Sequence, residues 1–341
     1  MSTPSSPATL VRPRPQQVLL TGATGFIGRN LHPVLRKLGH RVISGSRNPE
    51  RARQAFPGHE FRPLEVTDLA SIQAAMEGCQ AAFYLVHAMA GGRGYEDVER
   101  RSAVAFRVAA ERAGVQRIIY LGGVRPNGVP SRHLESRLRT GELLRAGRVP
   151  TLELQASMVI GGGSESWRIV RDLAARLPFM IMPQWLDNQS EPIALGDVTF
   201  ALAHALELPL ERSQALALPG PEALSGREIL LRTAHLLGSH PRTLRVPIVT
   251  PKLSSYWITL VTRADQRISE ELVEGLRCNL LSSGPGFWRL APDYRRTPFD
   301  EAARVALLAE QQQLSRRSRL AERLIRLLAL GSIKRVNRSS P

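Results

Sequence analysis

Short apolar runs alternate with amphipathic stretches through the first half of the chain. Val18-Leu19-Leu20, Arg41-Val42-Ile43-Ser44, Arg117-Ile118-Ile119-Tyr120-Leu121 and Thr151-Leu152-Glu153-Leu154-Gln155 read as strands, because they are brief and apolar. Between the first two, Ile27, Leu31, Val34, Leu35 and Leu38 recur at helical spacing and Gly39 supplies a stop; Val98 to Ala113 reads as a second helix. Pro33 removes one backbone hydrogen bond from the first helix and predicts a kink there. Strands alternating with helices predict an α/β fold, a doubly wound parallel sheet with right-handed crossovers, in which ligand binds beyond the strand C-terminal ends. Past Ala156 the pattern loosens into Gly161-Gly162-Gly163 and a stretch rich in Pro, Trp and Met from Leu177 to Leu186.

The turn between the first strand and first helix carries the chemistry. Thr21-Gly22-Ala23-Thr24-Gly25-Phe26-Ile27-Gly28 places three glycines at a strand-to-helix junction. The first turns the chain sharply, the second lets backbone approach a pyrophosphate, and the third lets helix pack on strand. The helix N-terminus then offers free N–H groups to the anion. A nucleotide-triphosphate P-loop is excluded, since no Gly-Lys-Ser/Thr follows. The second strand ends in Gly45-Ser46-Arg47 rather than in an acid. An acid there would bind a ribose 2′-hydroxyl, whereas Arg47 can pair with a 2′-phosphate, so NADP is expected over NAD. The competing reading of Arg47 is a solvated surface arginine.

This glycine spacing resembles that of the extended and atypical short-chain dehydrogenase/reductases, and so do further stretches. Val66-Thr67-Asp68-Leu69, Phe83-Tyr84-Leu85-Val86-His87-Ala88, Ile193-Ala194-Leu195-Gly196-Asp197-Val198 and Leu218-Pro219-Gly220-Pro221-Glu222 are similar to landmarks of that group. Tyr120-Leu121-Gly122-Gly123-Val124, His133-Leu134-Glu135-Ser136-Arg137 and Pro251-Lys252-Leu253-Ser254-Ser255-Tyr256-Trp257 narrow the likeness to NmrA-like NAD(P)H-binding proteins, relatives of the respiratory complex I accessory subunit. The resemblance implies a Rossmann-type core with a smaller C-terminal substrate lobe. It implies cofactor contacts at Gly22, Thr24, Gly25, Phe26, Ile27, Gly28, Arg47, Asp68, Leu69 and His87, with Asp68 meeting the adenine amino group. Its domain plan is a disordered tail over 1–16, an NAD(P)-binding core over 17–155, a substrate lobe interleaved with the core over 156–305, and a basic amphipathic segment over 306–341.

The catalytic motif departs from the family. Its reductases use a Tyr followed four residues later by a Lys, which holds the ribose and lowers the phenol pKa. Here Tyr84, Tyr95, Tyr120, Tyr256 and Tyr294 are followed at that offset by Ala88, Glu99, Val124, Leu260 and Pro298. His133 and Arg137 stand where the pair is expected, and Gly122-Gly123 replace the expected serine. One helical turn apart, His133 and Arg137 share a face, so Arg137 can hold a ribose or carboxylate while His133 passes a proton. The neighbouring cation should depress the imidazole pKa, which suits a base. The alternative is that both only cap and solvate a helix. Trp167, Met180, Met182 and Trp185 have two readings as well, an apolar substrate pocket or core packing.

Composition adds bounds. Cys79 and Cys278 are the only cysteines, too few for a disulfide scaffold and without metal-ligand spacing, which fits a cytoplasmic protein without a metal site. No apolar run approaches the roughly 18 residues that span a bilayer, and the Ser-, Pro- and Thr-rich start lacks a signal peptide's apolar core. The formal charge of +16 is almost all arginine and comes without a nucleic-acid-binding signature, so no specific nucleic-acid partner is expected. Between Ser315 and Arg338 eight basic residues and one acid accompany Leu320, Leu324, Leu327 and Leu328 at helical spacing. Such a segment suits peripheral contact with an anionic inner membrane face or an acidic protein, or packs its leucines on the parent domain. Two functions stand: an NADP(H)-dependent oxidoreductase acting on a small molecule, or a non-catalytic NAD(P)H-binding regulator or assembly factor.

Overall fold

The computed structural model describes residues 15–87, 94–246, 261–262, 270 and 273–313. The tail up to residue 14, the Pro251–Trp257 motif and the basic 315–338 segment lie outside the described residues. The alternation read from the sequence is the order observed: β1 (Gln17–Leu20), α1 (Phe26–Lys37), β2 (Arg41–Ser46), α2 (Pro49–Ala55), β3 (Glu60–Pro63), α3 (Leu69–Met76), β4 (Ala81–Tyr84), α4 (Tyr95–Arg112), β5 (Arg117–Gly123), α5 (Arg132–Arg145) and β6 (Thr151–Ala156). There follow β7 (Val159–Ile160), α6 (Glu165–Arg176), β8 (Phe179–Pro183), β9 (Gln189–Ser190), β10 (Ile193–Ala194), α7 (Leu195–His204), β11 (Gln214–Ala217), β12 (Leu224–Ser225), α8 (Gly226–Leu236), β13 (Arg242–Val246) and α9 (Phe299–Gln313).

Seven strands form one parallel sheet in the order β11-β6-β5-β4-β1-β2-β3. The chain winds outward from β1 to β3, then returns to place β4 on the other side of β1, so the switch point lies between β1 and β4. Pleating sends alternate side chains to opposite faces. Val18, Leu20, Phe83, Ile119, Leu121, Leu152 and Leu154 pack with Leu31 and Leu35 of α1 and Val198 and Leu202 of α7. Leu19, Ala82, Tyr84, Ile118 and Tyr120 pack instead with Ile72, Ala103, Phe106 and Leu144 of α3, α4 and α5. Both faces are covered, as strands apolar on both sides require.

α1 continues as a helix across Pro33, with Leu31 and Leu35 both fully buried on its inner side. Packing on the sheet compensates for the missing bond. Gly39 takes a positive φ of 91° and its N–H bonds to the Arg36 carbonyl, ending the helix as expected.

The second half supplies β11 to the sheet and builds two smaller clusters of its own. Trp167 is fully buried with Ile160, Phe299 and Ala303, while Met180 and Met182 pack with Leu186 and Leu230 and against Trp185. Trp167, Met180 and Met182 are therefore core, and Trp185 is half-buried at the edge of the second cluster. The two later landmarks act as anchors for the returning chain. Buried Asp197 accepts hydrogen bonds from Tyr294 Oη at 3.0 Å, Thr297 N at 2.9 Å and Thr297 Oγ1 at 2.8 Å. Glu222 accepts from Phe299 N at 2.8 Å, at the start of α9, and from Arg232 Nη1 at 2.6 Å. No helix among the described residues is long and apolar enough to cross a membrane.

Candidate functional site

The glycine loop emerges at the C-terminal end of β1, against β4. Thr21 is fully buried; its hydroxyl donates to the Phe83 carbonyl at 2.9 Å and accepts from Leu85 N at 3.0 Å, tying the loop to the neighbouring strand. Gly22 has φ +64°, and a Cβ there would overlap the Leu85 carbonyl. A Cβ on Gly28 would overlap the Gly22 carbonyl and come within 2.7 Å of Ala23 Cα, so this glycine lets α1 sit on the loop. Gly25 differs. Its φ of −76° is ordinary, and the one atom near an added Cβ is the Gly22 oxygen at 3.1 Å. Thr24 and Gly25 are exposed. The space in front of Gly25 is the kind that a phosphate-bearing ligand needs from the middle glycine.

The end of α1 fits an anion too. Asn48, Asp68, Ser131, Ser164 and Ser225 cap α2, α3, α5, α6 and α8 with side-chain acceptors. α1, α4 and α7 begin without a side-chain cap, but α4 and α7 carry acids in their first turns whereas α1, starting at Gly25, carries none. Its leading N–H groups are left for an acceptor from outside the helix. Arg47 is exposed just after β2, the strand that adjoins β1 on the side away from β4. Asp68 spends one carboxylate oxygen on Ala70 N at 3.0 Å, capping α3, and Leu69 packs against the α3–α4–α5 side of the core.

Beyond β4 and β5 lies a chain of ionisable groups. His87 Nδ1 is 2.5 Å from Glu99 Oε1, and His87 Nε2 is 3.1 Å from His133 Nδ1. Ser136 Oγ donates to the other oxygen of Glu99. Glu99 comes from α4, where it lies on the buried stripe with Ser102, Ala103 and Phe106; His133, Ser136 and Arg137 come from α5. Arg137 donates through Nη2 to the Leu121 carbonyl, while its own carbonyl accepts from Tyr120 Oη at 3.0 Å. The His133 imidazole is pushed down to about 3, by burial first, then by His87 and Arg137, with Glu99 opposing. The expected direction holds, but burial rather than the neighbouring cation leads. His87 is lowered as well, by burial, against the pull of its hydrogen bond to Glu99.

His87, read from the sequence as a cofactor residue, is thus bonded to His133. Glu99 and Ser136 were not singled out. The available signal was a carboxylate in register with the apolar face of a helix, a position where an unpartnered charge is costly.

The absent serine has a steric reason. A Cβ at Gly122 would overlap the Glu153 carboxylate, and one at Gly123 would lie 2.6 Å from Leu134 Cδ1 and 3.6 Å from Arg137 Nε. Glu153 is fully buried between β5 and α5, 2.8 Å from Arg145 Nε and 3.2 Å from Gln155 Nε2, and burial raises its carboxyl.

Comparison with known proteins agrees with this geometry. Residues 22–148 match a family described as NAD(P)H-binding. The 3 beta-hydroxysteroid dehydrogenase/Delta 5→4-isomerase of Mycobacterium tuberculosis is 34% identical over 114 residues, 30% of each chain. The alignment therefore spans under a third of that relative's length. Ceramide reductase of Caulobacter vibrioides is 28% identical over 244 residues, covering 67% of this chain and 73% of that protein. Among solved structures, the Citrobacter sp. triphenylmethane reductase complexed with NADP(H) superposes with a TM-score of 0.68 at 17% identity, over 85% of this chain and 99% of that one. An NADPH-dependent quinone oxidoreductase from Escherichia coli, complexed with NADPH, gives 0.68 at 17% identity over 84% and 98%. At that identity the likeness is one of fold.

Proposed function

We propose that this chain is an atypical short-chain dehydrogenase/reductase, a reading that its match to the NAD(P)H-binding family over residues 22–148 supports, and that it is an NADP(H)-dependent oxidoreductase in which His133 replaces the missing Tyr–Lys pair as proton carrier. The observation that carries this reading is the shared edge: the uncapped start of α1 and the Glu99–His87–His133 chain both lie beyond the C-terminal ends of the same parallel strands. The bound nicotinamide supplies or accepts the hydride. The loop from Gly22 to Gly28 holds the pyrophosphate, with Thr24, Gly25, Phe26 and Ile27 at the start of α1 nearest to it. Arg47 takes the 2′-phosphate, Asp68 and Leu69 border the adenine, and Arg137, fixed by the Leu121 carbonyl, orients the ribose or a substrate oxygen.

We assign substrate contact to the lobe over 156–305. The two curated relatives are named for a hydroxysteroid and a ceramide. We extend that to this chain as a substrate class, a hydroxyl or carbonyl on a mainly apolar frame. We place the protein in the cytoplasm, with 315–338 as a peripheral contact.

Two measurements test the reading. Calorimetric titration should show NADPH binding more tightly than NADH, and Arg47→Ala should weaken NADPH by about tenfold, close to 1.4 kcal/mol, while leaving NADH unchanged. NADPH consumption should then appear with apolar ketones and be lost in His133→Ala. Tight binding without turnover on any acceptor favours a cofactor-binding regulator, the reading that the missing Tyr–Lys pair supports.

A further inference from the structure

We propose that Glu99 and His87 are positioning residues that hold His133 as its Nδ1–H tautomer, making Nε2 of His133 the atom that exchanges a proton with substrate; this rests on the oxidoreductase reading above. A carboxylate has no proton to give. Glu99 accepts from the Ser136 hydroxyl on one oxygen and from His87 Nδ1, 2.5 Å away, on the other. The proton in the second contact therefore belongs to His87 Nδ1, and in a neutral ring His87 Nε2 is then an acceptor. It faces His133 Nδ1 at 3.1 Å, so that nitrogen is the donor, and the lone pair of His133 resides on Nε2. The two rings are tilted by 45°, with centroids 4.6 Å apart, so they are not stacked face to face.

Burial keeps both rings neutral at rest, which lets the tautomer pass from one to the next. The charges that reach His133 are those of His87 and Arg137, which disfavour a second proton, and of Glu99, which favours it. From the sheet side, Tyr84 and Tyr120 lie within reach of Glu99, and burial holds both as neutral phenols. When a substrate O–H bond breaks, its proton forms the Nε2–H bond of His133. The resulting imidazolium keeps its Nδ1–H on His87, whose other nitrogen is bonded to the Glu99 carboxylate. In the reverse direction a proton from solvent first forms the Nε2–H bond; that bond then breaks and its proton goes to the substrate oxygen as the carbonyl accepts hydride from the nicotinamide. Glu99 thereby stabilises a charge it does not touch, as a carboxylate does when it orients one catalytic imidazole, here with a second ring in between.

The test is long-range proton–nitrogen correlation spectroscopy on the full chain labelled with nitrogen-15 histidine, near neutral pH and without nucleotide. Signals are assigned by the loss of one ring in His87→Asn and in His133→Asn. His87 and His133 should each appear with Nδ1 protonated and Nε2 bare. Glu99→Gln gives His87 a partner that donates as well as accepts, and should lower the Nδ1–H to Nε2–H ratio at His133 by about tenfold or more. An Nε2–H tautomer at His133 in the unaltered protein overturns the proposal without need of any variant, and so does a ratio that Glu99→Gln leaves unchanged. Because the tautomers are read without substrate or cofactor, the expected spectrum together with absent NADPH turnover would count against the oxidoreductase reading alone.

Discussion

Replacing Gly25 and Gly28 separately by alanine should divide nucleotide binding from folding. A methyl on Gly28 has nowhere to go: it overlaps the Gly22 carbonyl and lies 2.7 Å from Ala23 Cα, both backbone atoms that no rotamer change can move. Overpacking of this kind costs about 1–3 kcal/mol, which lowers the melting temperature by roughly 1–4 °C in a chain of this size. A methyl on Gly25 meets one oxygen at 3.1 Å, at a φ of −76° that alanine adopts freely. The remaining cost is that alanine is a poorer first residue for a helix, about 0.5–1 kcal/mol. That methyl nevertheless occupies the opening in front of α1, so NADPH affinity should fall by at least about tenfold, or 1.4 kcal/mol. Thermal unfolding followed by circular dichroism without nucleotide reads the first quantity, since bound ligand would itself raise the midpoint. Calorimetric titration with NADPH reads the second. If Gly25→Ala bound NADPH as tightly as the parent protein, or melted as low as Gly28→Ala, the assignment of separate jobs to the two glycines would be refuted.

Three further predictions concern residues away from the loop. His32 is buried against His59 with ring centroids 3.4 Å apart, and burial, then His59, then Arg36, push its imidazole from 6.5 down to about 4. The unfolded chain therefore takes up this proton first, so the contribution is complete above 6.5 and declines as pH falls toward about 4. By about pH 5 roughly 2 kcal/mol should be gone, and the shift in urea midpoint between about pH 7.5 and 5 should shrink in His32→Gln. Gly122→Ser introduces the serine expected at this position but collides with Glu153, and should cost about 1–3 kcal/mol; adding Glu153→Ala should recover part of the loss, and strict additivity in urea unfolding would show that the two sites do not compete. Asp197→Ala removes the acceptor of three hydrogen bonds from Tyr294 and Thr297. It should destabilise the protein by about 2–4 kcal/mol, and limited proteolysis should then cut near residue 294 sooner than in the parent.

Much of this protein was determined by the sequence alone, wherever the relevant physics is local. The alternation of short apolar runs with helical spacing is a property of neighbours in the chain, so β1, β2, β5, β6, α1 and α4 were legible within a few residues of their observed bounds. The glycines at 22, 25 and 28 were legible for the same reason, because a turn and the first helical turn after it are made by adjacent residues. What only the tertiary structure decided are the meetings between distant parts. Glu99 and His87 are separated by 12 positions and His87 and His133 by 46, and nothing periodic in the sequence marks the three as one hydrogen-bonded chain. The same holds for the carboxylate of Glu153 filling the space that a serine at 122 would need, and for Met180 and Met182, whose composition suited a pocket or a core equally well. A side chain's partners across a sheet depend on which strands adjoin and in what register. That is settled by burying both faces of all seven strands at once, a global condition that no local stretch of sequence encodes.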